Sequence, residues 1–297
     1  MSVNIFFFTP VMLYKLFVRL SLFSTFIFAV FLGRSQNNQF LFKLLPSSYT
    51  NISFSNILLE NDTLNILNQA NIYNGGGVGM GDFNNDGLTD IYLAGNMVSN
   101  KLYLNKGSMK FEDQTEAAGV GGEGRWCTGI SVVDINADGW MDLYVSASFR
   151  KDPLLRTNLL YINQGAGKNG IPVFKESART YGLTDNGFST QGYFFDYDKD
   201  GDLDMYQVTY AFYDLRTPIR FRPKVTDGSA LNTDRLYRNN GNETFTNVSA
   251  EAGILIEGWG HAASISVFNR NGWPDIYIAN DFVSDDVLYT IRLEHHL

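Results

Sequence analysis

Cysteine is all but absent. Cys127 is the single thiol in 297 residues, so no intrachain disulfide framework and no CxxC-type zinc or redox centre is available. Histidine is scarce too. His261, His295 and His296 are the three, and the last two sit at the C-terminal end. That excludes a histidine-rich metal site and leaves few general bases. Positive charge is in deficit, with 23 Lys and Arg against 31 Asp and Glu, a formal net charge of -8. Nucleic-acid binding needs the opposite balance, because phosphate contacts are made by Lys and Arg. Proline is sparse at 7 and charged residues make up 18%, whereas glycine reaches 28 and aromatics 14%. Such a chain suits short strands and tight turns better than long solvated helices. The glycines at 75, 76, 77, 79 and 81 do not fit GxGxxG spacing, and no GxSxG, HExxH or P-loop lysine motif occurs.

The N-terminal stretch also lacks acid. No Asp or Glu precedes Glu60, and Leu20 to Leu32 reads LSLFSTFIFAVFL without a charge. This run is shorter than the roughly 20 residues a membrane span needs. With Lys15 and Arg19 before it, it fits the apolar region of an export signal, and Gly33 and Ser35 supply small residues for cleavage before Gln36. Residues 1–35 are therefore expected to be an apolar helical signal segment, placing the protein outside the cell or on the outer side of an envelope. An uncleaved anchor is the alternative, and the one membrane contact the sequence suggests. Residues 36–71 form a lead-in.

From residue 72 to 297 the chain repeats itself. GDFNNDGLTDIYLAG (81 to 95), VDINADGWMDLYVSA (133 to 147) and FDYDKDGDLDMYQVT (195 to 209) align without gaps, and VFNRNGWPDIYIAND (267 to 281) is a fourth, weaker copy. Each is followed by an LYxN phrase: LYLN at 102, LYIN at 160 and LYRN at 236, with LYTI at 288. A glycine turn and a Phe-containing stretch follow the first three. The apolar runs are too short for helices, so each unit predicts about four short strands. Repetition of four-stranded units is the sequence signature of a β-propeller. The fold class expected is all-β, with about four blades forming an incomplete ring.

The acidic loops carry the chemistry. At positions 1, 3, 5 and 9, loop one has Asp82, Asn84, Asp86 and Asp90. Loop two has Asp134, Asn136, Asp138 and Asp142, and loop three has Asp196, Asp198, Asp200 and Asp204. Position 6 is Gly87, Gly139 or Gly201, which permits a sharp turn. Calcium takes six to eight oxygen ligands in a forgiving geometry, which alternating short acids and amides in a tight loop can supply. A main-chain carbonyl at position 7, from Leu88, Trp140 or Asp202, is expected to add an oxygen. Three or four carboxylates per loop would repel one another without a cation. Three Ca²⁺ ions would bring the formal charge from -8 to -2. Magnesium fits less well because it dehydrates reluctantly. In the fourth loop Val267 replaces the first acid, and Asn269, Asn271 and Asp275 leave one carboxylate, so no strong site is expected there. Position 12 is Leu93, Val145 or Gln207, which excludes an EF-hand.

These loops and strands resemble FG-GAP or VCBS repeats, the integrin-α-like propeller blades. NGGGVGMGDFNNDGLTDIYLAGNMVSNKLYLN and GRWCTGISVVDINADGWMDLYVS are similar to secreted bacterial repeat proteins related to ASPIC/UnbV and cartilage acidic protein. The resemblance implies a propeller, an exported calcium-binding or adhesive role, and a longer parent chain.

Function is expected to be noncatalytic: an exported calcium-binding adhesion, scaffold or ligand-binding module with a protein or glycan partner. The alternative is a carbohydrate-binding or glycan-active propeller, which as an enzyme would need paired carboxylates outside the calcium loops. His261, in GWGHAASISV, has no partner motif and reads as structural, and Cys127 reads as a small core residue.

Overall fold

The computed structural model describes residues 10–11, 14–15, 17–18, 40–62, 64–69, 71–210, 223–281 and 284–291. Met1–Leu45 and Pro46–Leu297 form two compact units. The Leu20–Leu32 run and the expected cleavage point lie outside the described residues. Among the described residues no helix is long and apolar enough to cross a membrane.

The second unit is all-β. Its first sheet is β1 (Val78–Gly81), β2 (Asp90–Leu93), β3 (Lys101–Asn105) and β4 (Phe111–Asp113). The second is β5 (Trp126–Val133), β6 (Asp142–Ser148), β7 (Leu159–Ala166) and β8 (Pro172–Glu176). The third is β9 (Ser189–Phe195), β10 (Asp204–Thr209), β11 (Arg235–Asn239) and β12 (Phe245–Asn247). The fourth is β13 (Gly260–Ser266), β14 (Asp275–Asn280) and β15 (Val287–Tyr289). Every sheet is an antiparallel meander in chain order. The first three have four strands, and the fourth has three among the described residues, where LYTI replaces LYxN and no glycine turn follows. These sheets fit the blades of a propeller-like fold.

The core lies between sheets. Tyr92, Leu104, Ile130 and Val145 pack between the first and second. Tyr144, Ile162, Met205 and Tyr237 pack between the second and third, and Tyr206, Val208, Ile276 and Ile278 between the third and fourth. Alternate side chains of a strand point to opposite faces, so a blade with neighbours on both sides must be apolar at successive positions. Every residue of β6 and of β10 is buried. Cys127 lies in the first of these cores, and burial pushes its thiol up to about 11, as expected of an inert core residue.

A polar tie repeats in all four sheets. Two positions before each LYx phrase stands Asn100, Asn158, Asp234 or Asp286. Its side-chain oxygen accepts the N–H of Gly95, Ala147, Thr209 or Asn280, which fixes the end of the second strand. The same side chain also bonds the hydroxyl of Tyr92, Tyr144, Tyr206 or Tyr277. A buried tyrosine needs such a partner for its hydroxyl.

The lead-in lies on the first blade. Ser53 N–H donates to the Tyr103 hydroxyl at 3.3 Å, and Asn56 and Asn96 exchange two hydrogen bonds. Residues 46–71 therefore belong with the sheets.

Candidate metal centre

Each acidic loop joins the first and second strands of its sheet, so all four stand at the same end of the blades. Their backbones share one shape. Position 4 is left-handed at Asn85, Ala137, Lys199 and Arg270, and position 6 is left-handed at Gly87, Gly139, Gly201 and Gly272. The two reversals turn successive odd-numbered side chains inward. The position-6 glycine was legible in the sequence. The left-handed position 4 was not, because Ala, Lys and Arg carry no signal for it.

Loops one and two are almost superimposable in their hydrogen bonds. Asp82 accepts the N–H of Asp86 at 3.0 Å and of Gly87 at 2.7 Å. Asp134 accepts those of Asp138 at 3.0 Å and Gly139 at 2.9 Å. Asp86 and Asp138 accept the N–H of Leu88 and Trp140. Asn84 and Asn136 donate to the position-5 carboxylates at 3.0 and 2.9 Å. These are Asx-type turns. In loop one they leave the buried Oδ1 of Asn84 without a hydrogen-bond partner.

Loop three is different. Asp196, Asp198 and Asp204 bring carboxylate oxygens within 4.8 Å of one another, and they are the one such group of three found among the described residues. Asp196 Oδ1, Asp198 Oδ1 and Asp202 Oδ1 are buried and without a hydrogen-bond partner. Burial, followed by the charge of Asp200, raises the pKa of Asp198 and of Asp202. Buried carboxylate oxygens facing like charge are costly unless protonated or bound to a cation. The donor set fits a hard cation: several oxygens, no nitrogen or sulfur, on a turn that brings them together. Asp202, expected to give only its carbonyl, also has a carboxylate close enough to feel the charges of Asp200, Asp198 and Asp196.

The position-9 acids have a role that the sequence did not disclose. Asp90 accepts the Phe83 N–H at 2.9 Å and the Asn105 N–H at 2.8 Å. Asp142 does so with Ile135 at 3.0 Å and Asn163 at 2.7 Å, and Asp204 with Tyr197 at 3.0 Å and Asn239 at 2.8 Å. All three are fully buried. Burial pushes the Asp90 carboxyl up to about 6 and those of Asp142 and Asp204 up to about 7, against the two N–H bonds that lower each. Each oxygen accepts one N–H and keeps a second lone pair, so clamping and cation binding are compatible.

The Asn of LYxN completes the clamp. Asn105, Asn163 and Asn239 donate to the carbonyls of Thr89, Met141 and Leu203, just before the position-9 acid. Their Oδ1 atoms accept the N–H of Gly107, Gly165 and Gly241 in the next turn. The repeated Asn-x-Gly spacing was the available signal, since an Asn side chain bonding two residues ahead makes a turn. The fourth sheet has Ile291 in this place. Asp275 still accepts the Phe268 N–H at 2.9 Å, but its bond from Ile291 N–H lengthens to 3.3 Å.

No curated protein matches the chain. Residues 82–145 match the family model of an FG-GAP-like repeat. The match runs from the first acid of loop one into β6, and so takes in the first two acidic loops. An FG-GAP-like repeat on four antiparallel sheets suggests a β-propeller-type ligand-binding or adhesion module.

Proposed function

We propose that this chain is an exported, noncatalytic ligand-binding or adhesion module whose blades are braced by calcium. The observation that carries the calcium half is loop three, where three buried carboxylate oxygens of Asp196, Asp198 and Asp202 have no hydrogen-bond partner. When bound, Ca²⁺ supplies charge compensation and fixed coordination, not reaction chemistry. Asp196, Asp198, Asp200 and Asp204 would hold it in loop three, with the Asp202 carbonyl. Asp82, Asn84, Asp86, Asp90 and the Leu88 carbonyl would do so in loop one, and Asp134, Asn136, Asp138, Asp142 and the Trp140 carbonyl in loop two. Binding to the folded chain alone adds its free energy to folding.

Export is supported by the basic and apolar N-terminal stretch. A noncatalytic role is supported by the place of the one carboxylate cluster found among the described residues, Asp196, Asp198 and Asp204, which lies in a cation loop. A glycoside hydrolase would need two carboxylates across a cleft.

Isothermal titration with CaCl₂ tests the reading. About three ions should bind to the wild type and one fewer to Asp198→Ala, whose deletion removes a ligand from loop three. Absence of calcium binding to the wild type would overturn it.

A further inference from the structure

At the end of the blades opposite the acidic loops, the inner strands β1, β5, β9 and β13 begin around a cavity of about 520 Å³. That size lies within the roughly 300–1,000 Å³ range of small-molecule sites. One equivalent position in each blade faces it: Gly76, Thr128, Thr190 and His261. In three of the blades the register breaks at this very position. Thr128 and Gly129 together oppose Ser146, Thr190 is an extra residue between the Ser189–Thr209 and Gln191–Val208 pairs, and His261 is extra between Gly260–Asn280 and Ala262–Ala279. Bulges re-aim a side chain and gather beside functional sites.

Two of these residues serve the fold. Thr128 Oγ1 donates to the Ser189 carbonyl and Thr190 Oγ1 to the Gly260 carbonyl, each reaching the next blade. His261 breaks that pattern. Its ring packs at a tilt of 45° against Tyr210, 4.9 Å between centroids, and its Nε2 lies 3.5 Å from Asp281 Oδ2, which also accepts the Tyr210 hydroxyl at 2.8 Å. The imidazole is still 42% exposed. Held by these contacts, it lines the cavity.

The lining states the ligand chemistry. Trp126 and Phe149 pack at a tilt, 5.2 Å between centroids, and Tyr210 with His261 form a second aromatic pair in the lining. Amides come from Asn71, Asn74 and Gln191. No Asp, Glu, Lys or Arg lines it among the described residues, so a charged ligand would be desolvated without a counter-charge. A wholly apolar ligand would leave stranded the buried Nδ2 of Asn71, which has no hydrogen-bond partner in the protein. A neutral sugar chain offers both hydroxyls for the amides and C–H faces for the rings.

We propose that this cavity binds an uncharged oligosaccharide, with His261 and Asn74 as recognition residues. The proposal rests on the reading of the chain as a ligand-binding module, but not on calcium. The test is calorimetric titration of the full, calcium-saturated chain with neutral trisaccharides of glucose, galactose, mannose and N-acetylglucosamine, and with sialyllactose as a charged comparator. One neutral trisaccharide should bind at one site per chain. His261→Ala, and Asn74→Trp, which fills the rim from an exposed position, should each weaken it about tenfold or more. Melting temperature and calcium stoichiometry should stay as in the wild type. Binding of none of the four, tighter binding of sialyllactose, or unchanged affinity in both variants would overturn the proposal. If the trisaccharide binds while calcium does not, the cation account falls and the cavity assignment stands.

Discussion

Asp204 accepts the backbone N–H of Asn239, 35 residues further on, at 2.8 Å. The last acid of a loop thus fastens the third strand of the same blade, while its other oxygen holds the Tyr197 N–H at the start of the loop. The same relation joins Asp90 to Asn105 and Asp142 to Asn163. Cation loop and strand pairing therefore share one side chain, so a change at the loop reaches the sheet.

Asn163 is the most loaded of the partners. It is fully buried, and its Nδ2 lies within hydrogen-bond distance of the carbonyls of Phe83 and Met141, the first of these in the preceding blade. Asn163→Ala should cost about 2–4 kcal/mol, since several buried backbone groups lose their partners together. Urea unfolding measures it. A cost within about 0.5 kcal/mol, as for an ordinary surface change, would show that the clamp is not needed.

Ala137 holds a left-handed conformation, φ 56°, where loop one has Asn85. A Cβ is unfavourable there unless the side chain is Asn or Asp, which visit that region readily. Ala137→Asn should stabilise the protein by about 0.5–1 kcal/mol, read as a rise in melting temperature. A fall would mean that loop two depends on the small side chain.

Much of this was legible beforehand. The four repeats, their strands, the Asp–Asn–Asp spacing and the position-6 glycines all leave a residue-type signal. Two features do not. The position-4 reversal is occupied by Asn85, Ala137, Lys199 and Arg270, which share no chemistry. The cavity is lined in part by Gly76, Thr128, Thr190 and His261, far apart in sequence and brought together only by packing of successive blades. His261 read as structural because its neighbours Tyr210 and Asp281 are 51 and 20 positions away.

Stability without calcium should fall as pH rises. The buried carboxyls of Asp90, Asp142 and Asp204 have pKa values raised to about 6 or 7, above the roughly 3.9 of an unfolded aspartate. Between about pH 4 and 7 the folded chain therefore binds more protons than the unfolded one, and the linkage slope is negative. In chelator the chain should melt higher at pH 5 than at pH 7.5. Calcium affinity should change the other way and rise across this window, because its ligands must be ionised. A chelated protein that melts higher at pH 7.5 would contradict the protonation argument.

The fourth loop should bind calcium weakly or not at all. Asp275 is its one carboxylate, because Val267, Asn269 and Asn271 stand at positions 1, 3 and 5, so this loop offers a cation the least negative charge of the four. Titration should therefore saturate near three ions, and Asp275→Asn should leave that number unchanged. A fourth ion of equal strength would show that amide oxygens suffice.

Loop three has the most carboxylates and should dominate the response to cation removal. Asp200→Ala deletes an exposed ligand, and it should lose part of the melting-temperature gain that calcium confers on the wild type. The most direct measurement is the thermal melt of the wild type at pH 7.5, once in millimolar calcium and once in excess chelator. The account predicts a clearly higher melting temperature in calcium, by several degrees or more, since ions that bind the folded chain alone stabilise it. Identical melting temperatures would contradict it, because calcium would then not be what holds these blades.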